Sequence, residues 1–165
     1  MALEKTTENQ EIIQFCTFRL RSQLFGVNIL EVKEIDRLMP FTPVHHAPSE
    51  VKGLVNIRGQ IYLILDLSAL LEEEAQEVKP ENRLLIFKES IGESFGILVD
   101  RIGDVIDVAS KQITTYAESS SDKIVAKAGS FKTGVCQLKD ELMVVISAAK
   151  ILEFVHTKMN GHAAV

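Results

Sequence analysis

Apolar residues recur along this chain in short runs broken by polar positions, the two-residue rhythm of half-buried strands rather than the longer rhythm of helices. Val and Ile dominate the runs, and such branched side chains fit a pleated surface well. The pattern predicts strands at about 14–20 (QFCTFRL), 24–29 (LFGVNI), 32–36 (VKEID), 54–57 (LVNI) and 60–65 (QIYLIL). A second group follows at about 83–88 (RLLIFK), 94–100 (SFGILVD), 103–108 (GDVIDV), 132–138 (KTGVCQL) and 141–146 (ELMVVI). Between the groups, 72–82 (EEEAQEVKPEN) is charged and carries Pro80, the composition of a solvated linker. Two helical segments are expected. One is a short turn around 67–72 after Asp66; the other spans 147–159, where Ser147 suits an N-cap and Ile151, Leu152 and Val155 share a stripe. Residues 1–12 and 160–165 read as flexible tails.

Comparing the chain with itself explains why there are two groups. The segment at 24–35 (LFGVNILEVKEI) matches that at 94–105 (SFGILVDRIGDV) at a constant offset of 70, pairing Phe25 with Phe95, Gly26 with Gly96 and Ile35 with Val105. A second block repeats at an offset of 81: Gly53 with Gly134, Arg58 with Lys139, Leu65 with Ile146, and Leu70–Leu71 with Ile151–Leu152. The second copy gains 11 residues between its blocks, in the Ser- and Lys-rich stretch at 109–129. Each copy thus supplies about five strands with an apolar face. A five-stranded set that curls into a barrel shelters that face and leaves little open edge. The expected fold class is all-β: two SH3-like five-stranded barrels packed together, with a short C-terminal helix. The first would span 14–71, the second 83–146, within one domain at 14–156. A single ten-stranded sandwich is the alternative. The Phe-Gly pairs are expected to place a ring inside each barrel, with the glycine easing a bulge beside it.

Composition narrows the function. A formal charge of −5 and the lack of any cluster of four Lys and Arg argue against nucleic acid and against a polybasic membrane patch. The N-terminal stretch carries Glu4, Lys5, Glu8 and Glu11 and has no apolar core of a secretory signal. No apolar run approaches the roughly 18 residues of a membrane span, so a soluble cytoplasmic protein without direct membrane insertion is expected. Cys16 and Cys136 sit inside apolar runs, where an unpaired thiol acts as a small hydrophobe; a bridge between them is the alternative. Phosphate-binding glycine loops and a nucleophile elbow are missing, and Asp66, Asp100, Asp104 and Asp107 read as solvated acids at strand ends. His45, His46, His156 and His162 have no acid or thiol partners at ligand spacing. No enzymatic activity, metal or cofactor is expected.

The run TPVHHAPSEVKGLVNIRGQIYLILDLSALL at 42–71 resembles the signature of the CheW-like chemotaxis coupling protein family. Thr42, Pro43, Ala47 and Pro48 lead into Gly53, Asn56, Arg58 and Gly59, and the following strand ends in Asp66 and Leu67. The segments FGVNILEVKEI and FGILVDRIGDVIDV fit as well, so the resemblance covers about 14–156. Relatives often close the second barrel with Leu-Asp, where this chain has Ile146 and Ser147. The resemblance implies two SH3-like barrels and a non-catalytic adaptor that couples the cytoplasmic tips of chemoreceptors to the regulatory domain of a histidine kinase. A small-ligand-binding regulatory barrel, or an adaptor for a non-motility sensory pathway, is the alternative.

The same resemblance singles out residues. Glu34 and Arg58 match a functionally important acid and arginine and are placed on receptor-facing surface; a purely structural ion pair is the competing reading. Guanidinium and carboxylate can pair in a fixed geometry that lysine does not reproduce. Val32 and Gly53 fall by residue match in the receptor groove between the barrels. Kinase contact is assigned to the loop from Phe41 to Pro48, through Phe41, Val44 and Pro48. Asn56 and Gly59 belong to a tight turn, in which Gly59 supplies a positive φ and Arg58 is presented outward.

Overall fold

In a computed structural model, which describes residues 10–74, 77–116 and 131–162, every expected strand forms. The strands are β1 (Ile12–Leu20), β2 (Gln23–Asn28), β3 (Val32–Arg37), β4 (Val51–Ile57), β5 (Gln60–Asp66), β6 (Arg83–Phe87), β7 (Phe95–Val99), β8 (Arg101–Ala109), β9 (Ile113–Thr115), β10 (Lys132–Gln137) and β11 (Leu142–Ile146). Helix α1 (Leu67–Leu70) follows β5, and α2 (Ala148–His162) follows β11. The three-residue β9 lies in the Ser- and Lys-rich stretch at 109–129, where surface loop and edge structure are both expected; residues 117–129 of that stretch fall outside the described residues. Helix α2 continues through Asn160–His162, which were expected in the tail. Ile12, expected in the N-terminal tail, opens β1, and residues 1–9 and 163–165 lie outside the described residues.

The fold is all-β with two sheets, in the orders β8-β1-β2-β11-β10-β9 and β3-β6-β7-β5-β4. Apart from β9, which has no counterpart strand, the two orders correspond under the internal repeat. Yet neither sheet is one contiguous half, so the expected division into 14–71 and 83–146 is corrected. After β2 a single 3-10 turn at Ile29–Glu31 carries the chain from the first sheet into the second. Asp100 alone separates β7 from β8 and returns it. Each copy of the repeat therefore lends its first hairpin to the sheet built by the other. The exchange is fixed by two parallel pairings: β2 with β11, with Phe25 opposite Val144, and β7 with β5, with Phe95 opposite Leu63.

Three cores follow from this exchange. Each sheet wraps a small interior, one of Val55, Ile57, Tyr62, Ile64, Leu84, Ile86 and Leu98, the other of Phe15, Leu24, Val108, Cys136, Met143 and Val145. Between them lies a larger shared core. Alternation along single strands divides residues between cores: on β11, Met143 and Val145 enter a barrel while Val144 and Ile146 enter the shared core. Strand β7 has no exposed residue at all. Phe25 and Phe95 both lie in the shared core, not inside the barrels as expected; Phe25 stacks on Phe18 at 5.5 Å between ring centroids, and Phe95 meets Phe87 at 4.9 Å with the rings tilted. The neighbouring glycines leave space on the opposite face. A Cβ on Gly26 would sit 2.5 Å from Met143 Sδ, and one on Gly96 would sit 2.7 Å from Ile86 Cδ1.

Helix α2 closes the shared core with Ile151, Leu152 and Val155, the stripe read from the sequence. Its first turn is held from a distance: the Ala148 N–H donates to Glu31 Oε2 at 3.1 Å, and Ser147 Oγ accepts from Lys150 N–H at 3.3 Å. Its later turns reach back through Lys158 to the buried Glu50, and through His156 to Glu93 at 3.1 Å. Asp66 is not the solvated acid expected. It is fully buried, accepts from the Ala69 N–H at the start of α1 and pairs with Lys52 at 3.1 Å. Cys16 and Cys136 are free thiols in different cores. No helix among the described residues is long and apolar enough to cross a membrane.

Candidate functional site

Strand β3 is the outer strand of its sheet, so one of its backbone edges has no strand neighbour among the described residues. Its side chains alternate, with Val32, Glu34 and Asp36 half-buried and Lys33, Ile35 and Arg37 exposed. The register against β6 slips between Val32 and Glu34, the mark of a bulge, which re-aims the side chains around it. Beside this strand stands the β4–β5 hairpin. Ile57 pairs with Gln60, leaving a two-residue turn in which Arg58 has φ 51° and Gly59 φ 88°. Two successive left-handed residues make a type I′ turn, whose twist suits a tight hairpin. Gly59 meets nothing within 4 Å at its Cβ position, so φ alone explains it. Asn56 Oδ1 accepts from the Gly59 N–H at 2.9 Å and pins the turn. Arg58 adopting the same conformation was not foreseen, since an arginine there is strained.

The structure brings Glu34 and Arg58 together: the guanidinium donates to Glu34 Oε2. The partners are unequal, with 69% of the Arg58 side chain exposed against 23% of Glu34. The carboxylate thus serves as a fixed base from which a solvent-facing cation is held. The hydrogen bond to Glu34 pushes the Arg58 pKa further up. Glu34 Oε1 and Asp36 Oδ2 are both buried and without a hydrogen-bond partner. Burial first, then the Glu34 charge and hydrogen bond, push the Asp36 carboxyl up against the opposing pull of Arg58. At the bulge itself, Lys33 Nζ donates to Tyr62 Oη at 2.8 Å and to Glu89 Oε1 at 2.6 Å. The Lys33 hydrogen bond leads the forces that lower Glu89 to about 2, and Gln60 adds a donor at 2.9 Å. Asp36, Lys33 and Glu89 were not singled out from sequence. Asp36 could have been: it lies two residues from Glu34, on the same face of a strand.

The other candidates are scattered. Val32 packs against the shared core. Gly53 is buried in β4 with φ 148°, and a Cβ there would lie 2.7 Å from the Thr42 carbonyl oxygen. That close approach is tied to the isolated bridge between Thr42 and Leu54 of β4. Phe41 packs against the barrel interior, Val44 is 40% exposed, and the Pro48 carbonyl accepts from the Val51 N–H at 3.0 Å. His45 and His46 are exposed, with ring centroids 6.4 Å apart. No group of three His, Cys, Asp or Glu suited to a metal occurs among the described residues. A cleft of about 470 Å³ is lined by Arg21, Glu74, Lys79, Asp100 and other polar side chains, charges of both signs without a convergent set.

Similarity to known proteins covers nearly all of this framework. The CheW-like domain family matches residues 14–156. A chemotaxis protein CheW of Rhizobium meliloti is 32% identical over 141 residues, 86% of either chain. A probable chemotaxis protein CheW of Rhizobium etli is 34% identical over 115 residues, 69% of this chain and 73% of the relative. The solved scaffolding protein TtCheW of Thermoanaerobacter tengcongensis superposes with a TM-score of 0.71 at 21% identity, covering 82% of this chain and 89% of its own. That likeness concerns the fold, and it agrees with two SH3-like units packed together.

Proposed function

The chain belongs to the CheW-like domain family, and from that membership we propose that it is a non-catalytic chemotaxis adaptor joining chemoreceptor tips to the regulatory domain of a histidine kinase. The observation that carries the reading is Arg58, held outward on a strained turn and braced by Glu34 from the neighbouring strand. A stability-driven sequence has little use for an arginine in a left-handed conformation on an exposed turn, whereas a recognition surface gains a preorganised cation. Receptor contact is assigned to this pair with Val32 and the region of Gly53. Kinase contact is assigned to the loop bearing Phe41, Val44 and Pro48. Both sites act by surface complementarity, and the protein works in the cytoplasm beside membrane receptors without entering the bilayer. The small-ligand alternative gains no support from barrels whose interiors are packed with Tyr62, Ile64, Phe15 and Met143.

The test is a pull-down with a receptor signalling tip and a kinase regulatory domain, separately and together. Arg58→Ala and Glu34→Ala are expected to keep the wild-type circular dichroism spectrum and weaken receptor capture by about tenfold or more, the size of a preorganised hot-spot loss. Folded variants that bind normally would overturn the assignment of this pair. A wild-type chain that captures neither partner would overturn the adaptor reading.

A further inference from the structure

Two buried carboxylate oxygens without partners lie on one face of β3. Glu34 Oε1 and Asp36 Oδ2 are both closed to solvent, and neither finds a donor. Two unsatisfied anionic acceptors side by side are costly, because each has lost its water and each repels the other. A single proton resolves both deficits: a protonated carboxyl donates once, so Asp36 can satisfy its own oxygen and that of Glu34 together. The surroundings favour Asp36 as the carrier. Glu34 Oε2 is committed to Arg58, and Asp36 sits two residues along on the same face of β3, where burial and Glu34 push its carboxyl up. The charged groups acting on Asp36 are Glu34 on its own strand and Arg58 on the facing turn, while β6 presents the apolar Leu84 opposite it. Of the two cations on β3, Lys33 is engaged by Tyr62 and Glu89, and Arg37 alternates onto the exposed face opposite Asp36.

We propose that Asp36 shares a proton with Glu34 and thereby positions Glu34 and Arg58 for the partner, a role that rests on the reading of Arg58 as partner-facing. With the proton in place, Glu34 is held at both oxygens and the guanidinium has one resting orientation. Without it, the two carboxylates repel and Glu34 loses one of its two anchors. The surface would then present Arg58 more firmly as pH falls through the Asp36 midpoint.

The first measurement needs no partner. In the full chain, the Asp36 carboxyl ¹³C resonance is followed from about pH 3 to about pH 8, together with the order parameter of the Arg58 Nε–Hε bond. The expected midpoint lies above the ordinary aspartate value and falls back in Glu34→Gln. Arg58 should be more mobile in Asp36→Ala but as rigid as wild type in Asp36→Asn, whose amide N–H donates to Glu34 at every pH. A midpoint at or below the ordinary value, or an Arg58 bond equally rigid in both variants, overturns the proposal. The second measurement is receptor-tip affinity against pH. Asp36→Ala should lose about three- to tenfold, and Asp36→Asn should match the acid-side wild type with a flat profile. Equal affinities and pH profiles in wild type and Asp36→Ala would also overturn it. If no form binds the tip, the adaptor reading falls, while the titration and the Arg58 mobility still decide the shared proton.

Discussion

The β4–β5 turn and the β10–β11 turn occupy equivalent places in the two barrels, and they have been put to different uses. Both are two-residue connections: Ile57 pairs with Gln60, and the Leu138 N–H donates to the Glu141 carbonyl at 2.8 Å. Under the repeat, Arg58-Gly59 corresponds to Lys139-Asp140. Only the first pair is left-handed. Only the first is held by an ion pair from a neighbouring strand: Asp104, at the position matching Glu34, is exposed and pairs with no cation of the second turn among the described residues, and the position matching Asp36 is Ile106. The second turn is tied down by Arg19, which reaches Glu141 through two hydrogen bonds at 3.0 and 2.6 Å. Residues equivalent to that pair, Glu89 and Gln60, also touch each other at 2.9 Å in the other barrel. There the amide cannot balance the acid, so Lys33 supplies the charge from the position that holds Gly103 in the other copy. A shared frame with divergent decoration separates what the fold requires from what has been added to it.

The largest effect should come from the frame itself. Gly53 and Gly134 are equivalent, each follows a register slip, and a Cβ at either would lie 2.7 Å from a backbone carbonyl oxygen, of Thr42 or Thr114. Gly53 carries the additional burden of φ 148°. Crowding a packed site costs about 1–3 kcal/mol and a strained φ about as much again. Both alanine variants should therefore lose stability in urea titrations, with Gly53→Ala worse by roughly 1 kcal/mol or more. Equal losses would mean that the strand relaxes away from the left-handed region at no cost. A negligible loss in both would remove the close approach as the reason for glycine.

These glycines also mark what could be read before the structure. Self-comparison paired Gly53 with Gly134, Phe25 with Phe95 and Leu65 with Ile146, and each pair occupies equivalent positions. It did not say which copy pairs with which. A closed half and an exchanged hairpin satisfy the same two-residue pattern, and the parallel contacts that decide between them join segments far apart in sequence. The Phe-Gly pairs were assigned to the wrong core for a related reason: β7 is buried on both faces, so no polar face orients it. Strand β9 is three residues long, too short for periodicity to announce. At the site, the turn glycine and the Glu34–Arg58 pair were legible. The strained Arg58 was not, because propensity argues against it.

The turns themselves give an intermediate effect. Gly59→Ala forces a Cβ into a left-handed residue with open space around it, so conformational strain of about 1 kcal/mol is the whole cost. Asp140→Ala at the equivalent place has no such φ to defend and should change stability by less than about 0.5 kcal/mol. Arg58→Gly sharpens the contrast further. It relieves the strained φ while deleting the cation, so the denaturation midpoint should hold or rise while receptor capture falls. If receptor capture survived, Arg58 would be a structural residue after all.

The smallest effect concerns the two acids of these corresponding contacts, Glu89 and Glu141, and is read in the pH dependence of stability. Lys33 leads the forces that hold Glu89 at about 2 in the folded chain, against 4.5 for the free side chain, and Arg19 likewise lowers Glu141. A depressed carboxyl contributes stability above its unfolded pKa and loses it as pH falls through the folded value. Between those limits the unfolded chain binds more protons, so acid erodes the folded state. Both acids are solvent-exposed, and salt screens such pairs, which keeps the contribution modest. Glu89→Gln should therefore flatten the fall in urea midpoint between about pH 4.5 and about pH 2, more at low salt than at high. Glu141→Gln should do the same to a lesser degree, since its guanidinium partner is its main support, whereas Glu89 also draws on its own backbone N–H and on Gln60. An unchanged slope in Glu89→Gln would mean that Lys33 is held at the β3 edge by the Tyr62 hydroxyl alone, and that the barrel of β3 gains no net stability from a cation where its twin has Gly103.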